Sequence, residues 1–305
     1  MTVERRWGEV RAGRSPRALG LMVLLCATLV AWAGLAQPAA AADGASSSRA
    51  AAGEAARAIP WQQLSRSDRA TVRSVVADAS IYRRLPTRVI DCDPDMFTFL
   101  LRHPEVVVDT WRLMGVSRVS LSRLSEGAYR GTDGAGTTGQ VRVVYADWGR
   151  AAKNLAVIYA DGGYEGGPLA GPVKAQSVVV LRSGSIREEN GRYYVTVRVD
   201  SFIRIERLGV EIIAKTVQPW IAHAADQNFI ETLTFVSNFS RTAERNPQGM
   251  ERLASRLPTV DEPTRRELVQ LCFQTADRYA DAAQARREGQ ALLARHVAPA
   301  TAATR

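Results

Sequence analysis

Few residues in this chain are typed and spaced for chemistry. Its histidines are His103, His223 and His296, and no two of them stand at ligand spacing for a metal. A Ser-His-Asp triad would have to be assembled from distant parts of the chain. Gly134, Gly136 and Gly139 spell G-x-G-x-x-G. A dinucleotide site needs a strand before that motif and a helix after it, so that phosphate meets a helix N-terminus. Val141, Val143 and Tyr145 instead alternate behind it as a strand, so the glycines read as a hairpin turn. Asp161 and Glu165 flank Tyr164 in a glycine-rich stretch, where solvated carboxylates are the ordinary reading. No metal or cofactor follows from these patterns, and no catalytic residue is assigned.

The polar residues that stand out sit on apolar surfaces. A long helix from about Pro219 to Glu244 gathers Ile221, Ala222, Ala225, Phe229, Leu233, Phe235, Val236 and Phe239 into one arc, interrupted by Asn228 and Thr232 one turn apart. A polar side chain buried on such a face must find a partner or cost a few kcal/mol. Either the two bond within the protein, Thr232 back to the carbonyl of Asn228, or they line a cavity. Tyr145, Tyr159 and Ser201, polar groups on apolar strand faces, are the companions expected at the polar end of a mainly hydrophobic ligand.

The elements that position these residues are read from periodicity. Ser65 to Asp68 is a capping box for a helix carrying Val72, Val75, Val76, Ala79 and Tyr82, expected to end near Leu85. Thr87 to Ile90 reads as extended. Asp93 with Pro94, and then Pro104, start two short helices in tandem. From Val116 to Arg207 the period becomes two. Its clearest case puts Tyr193, Val195, Val197, Val199, Ser201, Ile203 and Ile205 on one strand face. Turn chemistry between such runs predicts an antiparallel meander of six or seven strands, with Val195, Val197, Val199 and Ile203 facing the long helix.

Ahead of all this, Ala18 to Ala36 is uncharged, preceded by Arg5, Arg6, Arg11, Arg14 and Arg17 and followed by the small residues Pro38 to Ala42. A basic head, an apolar middle and an A-x-A end read as an export signal cleaved after Ala41 or Ala42, with an uncleaved anchor at 18–36 as the alternative. Both deliver the domain outside the cytoplasm. Removal of residues 1–42 takes five Arg and two Glu and lowers the formal charge from +9 to +6. That excess is unclustered, which argues against nucleic acid and leaves room for weak contact with an anionic membrane surface. An oxidising compartment permits a Cys92–Cys272 bridge, but two buried free thiols are the expected state.

The chain thus divides into a signal or anchor (1–42), a flexible linker (43–61), an N-terminal helix (62–84), a main domain (85–257) and a charged helical extension with a disordered tail (258–305). Strand, two small helices, a strand meander and one long amphipathic helix, with the segment CDPDMFTFLLRHPE, resemble the START-related helix-grip superfamily of lipid-transfer and polyketide cyclase-like proteins. The resemblance implies an α+β fold in which a curved antiparallel sheet wraps the long helix around a cavity for a sterol, lipid or aromatic molecule. No active-site residue of that superfamily maps onto this sequence. The expected function is therefore an exported module that holds a hydrophobic small molecule or lipid. A cyclase- or dehydratase-like enzyme using Tyr145, Tyr159 or His223, and a partner-binding protein with a filled core, are the alternatives.

Overall fold

Glycine at positive φ closes the first hairpins and fixes where the strands begin. Gly127 (φ 65°) turns between β3 (Ser120–Ser125) and β4 (Ala128–Thr132). Gly134 and Gly136 turn between β4 and β5 (Thr137–Trp148), as the sequence requires of a hairpin rather than a nucleotide loop. The computed structural model describes residues 45–149, 153–165, 172–206 and 218–297, and within the two end helices no side chain of 218–224, 281–283 or 285–297. The expected signal or anchor and the tail after Val297 lie outside the described residues. No described helix is long and apolar enough to cross a membrane.

After β5 come β6 (Lys153–Tyr164), β7 (Val173–Arg187) and β8 (Tyr193–Glu206), each antiparallel to the last. Two short strands, β1 (Ile81–Arg84) and β2 (Arg88–Asp91), pair along successive parts of β8. The result is an eight-stranded antiparallel sheet in the order β1-β8-β7-β6-β5-β4-β3, with β2 also on β8. Leu85 and Pro86 interrupt the edge between β1 and β2. The helix expected to reach Leu85 therefore stops at Ala77, and the sheet begins at Ile81 because β1 finds hydrogen bonds on β8.

Both faces of the sheet are covered. On one lie α3 (Pro94–Arg102) and α4 (Pro104–Leu113), capped by Asp93 with Pro94 and started by Pro104 as the sequence indicates. The same face carries α5 (Gln218–Arg245), α6 (Pro247–Ala254) and α7 (Glu262–Val297). Val195, Val197, Val199 and Leu181 share one core with Phe229, Leu233, Val236 and Phe239 of α5. Ile203 points to the same face but packs apart, with Ile81 and Ala175. Leu268, Leu271 and Cys272 of α7 belong to the main core, so residues 258–280 are part of the domain and not an appendage. Cys92 and Cys272 are both buried and free, not bridged. Burial pushes both thiols up, that of Cys272 to about 12, so neither is a thiolate near neutral pH.

The opposite face is covered by two helices. One, α1 (Arg49–Arg57), forms inside the segment expected to be a flexible linker. Ser48 caps it, and Ala51 and Ala55 are buried. The other is α2 (Arg66–Ala77), capped by Ser65 and burying Val72 and Val75. Small alanines let α1 lie close to the sheet, and Glu54 accepts hydrogen bonds from Arg84 (2.8 Å) and Arg198 (3.0 Å). The Arg84 guanidinium holds the Glu54 carboxyl below its ordinary 4.5. A depressed carboxylate pKa lends stability above the unfolded value and loses it as pH falls through the folded one. Acidification below the ordinary carboxylate range should therefore loosen α1, through protonation of this depressed carboxyl. Hydrogen exchange at residues 49–57 is the measurement, and unchanged protection there would contradict it.

Candidate functional site

The two faces of the sheet differ in how they are sealed. Toward α1 and α2, Val157, Val178, Val180 and Phe202 are buried with Ile59, Leu64, Val72 and Val75 in one apolar cluster. Toward α5, Ile158 on β6 pairs directly with Val179 on β7 at the middle of the sheet. Both side chains stay partly exposed although helix and sheet share one core there. Val143, opposite Ile158 on β5, is partly exposed too. Their strand neighbours on the same face, Ala156, Ser177 and Leu181, are buried.

Polar groups cluster on that same face. Arg83 of β1 stands opposite Ser201 of β8 and donates from Nε (3.1 Å) and from a terminal nitrogen to Asp226 of α5. This pair is 20% and 8% exposed at the side chain. Ser177, Ser201 and Thr232 are buried, and the hydroxyl oxygen of each has no hydrogen-bond partner. Asn228, 2% exposed, lies between Asp226 and Thr232 on the buried side of α5. At the far end of β5 the hydroxyl of Thr137 is likewise buried and unpartnered. The structure thus brings Ser201, Asn228 and Thr232 to one interface and adds Arg83, Asp226 and Ser177. Sequence reading missed Arg83 and Asp226, since nothing local marks an arginine and an aspartate so far apart as partners.

Tyr145 and Tyr159 lie elsewhere. Both pack on the opposite face, with the cluster under α1 and α2. A β-bulge between Val143 and Tyr145 shifts the register of β5 by one residue, so Val141 and Val143 point toward α5 and Tyr145 away from it. Tyr159 donates to Asp161 (3.1 Å), and burial pushes its phenol up to about 12. Asp161 is a strand residue, not a loop carboxylate, and also accepts from Gln176 (3.2 Å). These two tyrosines cannot serve the polar end of a ligand held against α5.

A second polar group lies on the α1 side. Asp200, fully buried, accepts from Tyr82 Oη (2.6 Å), Arg84 Nε (2.7 Å) and Arg182 Nη2 (2.8 Å). Burial and the bond to Asp200 push the Tyr82 phenol up. Both oxygens of Asp200 are taken, and the cluster docks α1 to the sheet. A third group surrounds His103, which starts α4. Its Nδ1 lies 3.3 Å from Oε1 of the buried Glu105, Arg123 Nη1 stands 3.9 Å from that same Glu105 oxygen, and Glu267 Oε2 stands 3.8 Å from His103 Nε2. Sequence reading placed His103 at the helix junction but missed Glu105, which reads as an ordinary acidic first-turn residue. His223 and His296 have no described side chains. Among the described residues no group of His, Cys, Asp and Glu is arranged to hold a metal ion.

No protein-family model matches this chain, and no curated protein matches it. Among solved structures, a hypothetical protein from Helicobacter pylori is similar over 52% of this chain and 87% of its own length. Its identity is 10% and its TM-score 0.32.

Proposed function

We propose that this protein is an exported, non-catalytic binding module that holds a hydrophobic small molecule or lipid between the sheet and α5. The observation that carries the reading is the partial exposure of the paired Ile158 and Val179 on a face that α5 covers. On the other face of the same strands, Val157, Val178 and Val180 are sealed. Apolar walls with a few polar groups are what a mainly apolar ligand needs, the polar groups fixing its orientation. The element order, with β1 and β2 on the last strand and a long helix after it, supports a helix-grip arrangement like that of the START-related superfamily. In that arrangement the space under the helix is the binding cavity. Both oxygens of Asp200 are taken by Tyr82, Arg84 and Arg182, and the His103–Glu105 pair, whose Nε2 and Oε2 are buried without a hydrogen-bond partner, sits at the junction of α3 and α4 beside Arg123 and Glu267.

Asn228→Leu tests the reading. Its amide lies on the buried side of α5, beside the unpartnered Thr232 hydroxyl. The substitution should weaken retention of a co-purifying hydrophobic molecule, read by native mass spectrometry, while the melting temperature stays nearly unchanged. No bound molecule in the native protein, together with a melting temperature lower by about 4 °C or more, would make Asn228 a satisfied core residue. The proposed cavity would then lose its polar marker.

A further inference from the structure

Resting on that binding reading, we infer that the molecule held under α5 is uncharged and carries several oxygens spread along its length, rather than one headgroup on a hydrocarbon chain. Thr232 gives the first reason. A helical threonine ordinarily satisfies its hydroxyl on the carbonyl four residues back. Thr71, Thr110, Thr234 and Thr242 do so here, at 2.7 to 3.2 Å, whereas Thr275 of α7 is buried and unpartnered. Thr232, two residues from Thr234 on the same helix, does not, and its oxygen is buried and unpartnered.

The second reason is how the unpartnered oxygens are spread. Ser201 pairs opposite Val179 and Ser177 opposite Ile203, so the two serines are diagonal neighbours on adjacent strands. Such neighbours stand roughly 7–8 Å apart. Thr232 belongs to the facing helix. One headgroup cannot reach all of these, and each buried oxygen left without a partner costs free energy.

Charge supplies the third reason. Arg83 and Asp226 neutralise each other beside Ser201. An anionic ligand would have to displace Asp226 or leave an excess charge in a desolvated place, and both are costly. Hydroxyls that can donate and accept suit neutral hydroxyl or carbonyl oxygens.

The test is displacement of the fluorescent probe 1-aminoanthracene from the purified protein by three competitors. Estradiol is an uncharged ring system with an oxygen at each end, hexadecanol has one oxygen, and palmitate has one charge. Estradiol should displace the probe at about tenfold lower concentration than hexadecanol, with palmitate weakest, since one or two added hydrogen bonds are worth about that factor. In the variant Ser177→Ala/Ser201→Ala/Thr232→Val the preference for estradiol should shrink to about threefold or less. If circular dichroism shows that this variant does not fold, Thr232→Val alone replaces it and the wild-type ranking decides. Palmitate or hexadecanol acting at or below the concentration of estradiol would overturn the inference and leave the binding reading standing. So would a preference that survives in the folded variant. Failure of the probe to bind at all would bring down the binding reading and this inference with it.

Discussion

Ile158→Trp should abolish binding of a hydrophobic probe while leaving the fold intact. Ile158 sits at the middle of β6, paired with Val179 and flanked by Val143, and all three are partly exposed toward α5. Tryptophan adds a ring where an open space admits it, so 1-aminoanthracene affinity should fall by at least about tenfold and the melting temperature should hold within about 2 °C or rise. In a close-packed core the same change would force neighbours off their rotamers and cost about 1–3 kcal/mol. Probe titration and a thermal melt on the same sample separate the outcomes. A melting temperature lower by about 4 °C or more, with no probe bound by either form, would show that the layer between sheet and α5 is filled. Val157→Trp is the control. Its side chain points the other way into the sealed cluster under α1 and α2, where the added ring should destabilise.

The second large effect is expected at Asp200. Its carboxylate is fully buried and accepts from Tyr82, Arg84 and Arg182, while Arg84 is itself 8% exposed and reaches on to Glu54. Asp200→Asn keeps the shape and removes the charge, leaving the Arg84 guanidinium buried beside a neutral amide. Removing one partner of a buried pair costs about 3–5 kcal/mol. For a domain of this size each kcal/mol moves the melting temperature by roughly 2–4 °C, so the midpoint should drop by about 6–20 °C. Glu54→Gln, on the same guanidinium but 43% exposed at the side chain, should cost about 1 kcal/mol or less because solvent screens it. Denaturant titration of both variants gives the contrast. Equal losses would mean that α1 is held by its surface ion pairs, and that the buried carboxylate is not what anchors it.

Local pattern carried most of the architecture. The arc of apolar residues predicts a helix from about Pro219 to Glu244, and α5 runs Gln218–Arg245. Alternation from Tyr193 to Ile205 predicts a strand, and β8 is Tyr193–Glu206. Asp93 with Pro94, Pro104 and the turn glycines mark the short helices and the hairpin where they occur. These signals are legible because each rests on a period or a backbone conformation within a few residues. Ser201, Asn228 and Thr232 were legible for the same reason, as polar breaks in apolar runs.

What the sequence could not assign is which apolar face meets which layer. Strand β6 is apolar on both sides, with Leu155, Val157 and Tyr159 toward α1 and α2 and Ala156 and Ile158 toward α5. Period-two alternation is silent on that choice. The bulge after Val143 then turned Tyr145 away from its expected companions, because one extra residue reverses every later side chain on the strand. Nor does composition distinguish an alanine-rich tether from α1. Its helix has few apolar atoms of its own, and its docking depends on a buried aspartate on β8, an arginine on β1 and the glutamate that meets them. Arg83 and Asp226 are the same kind of case. Their pairing exists only once β1 has joined β8 and α5 has crossed the sheet, so residues remote in the chain meet by tertiary packing alone.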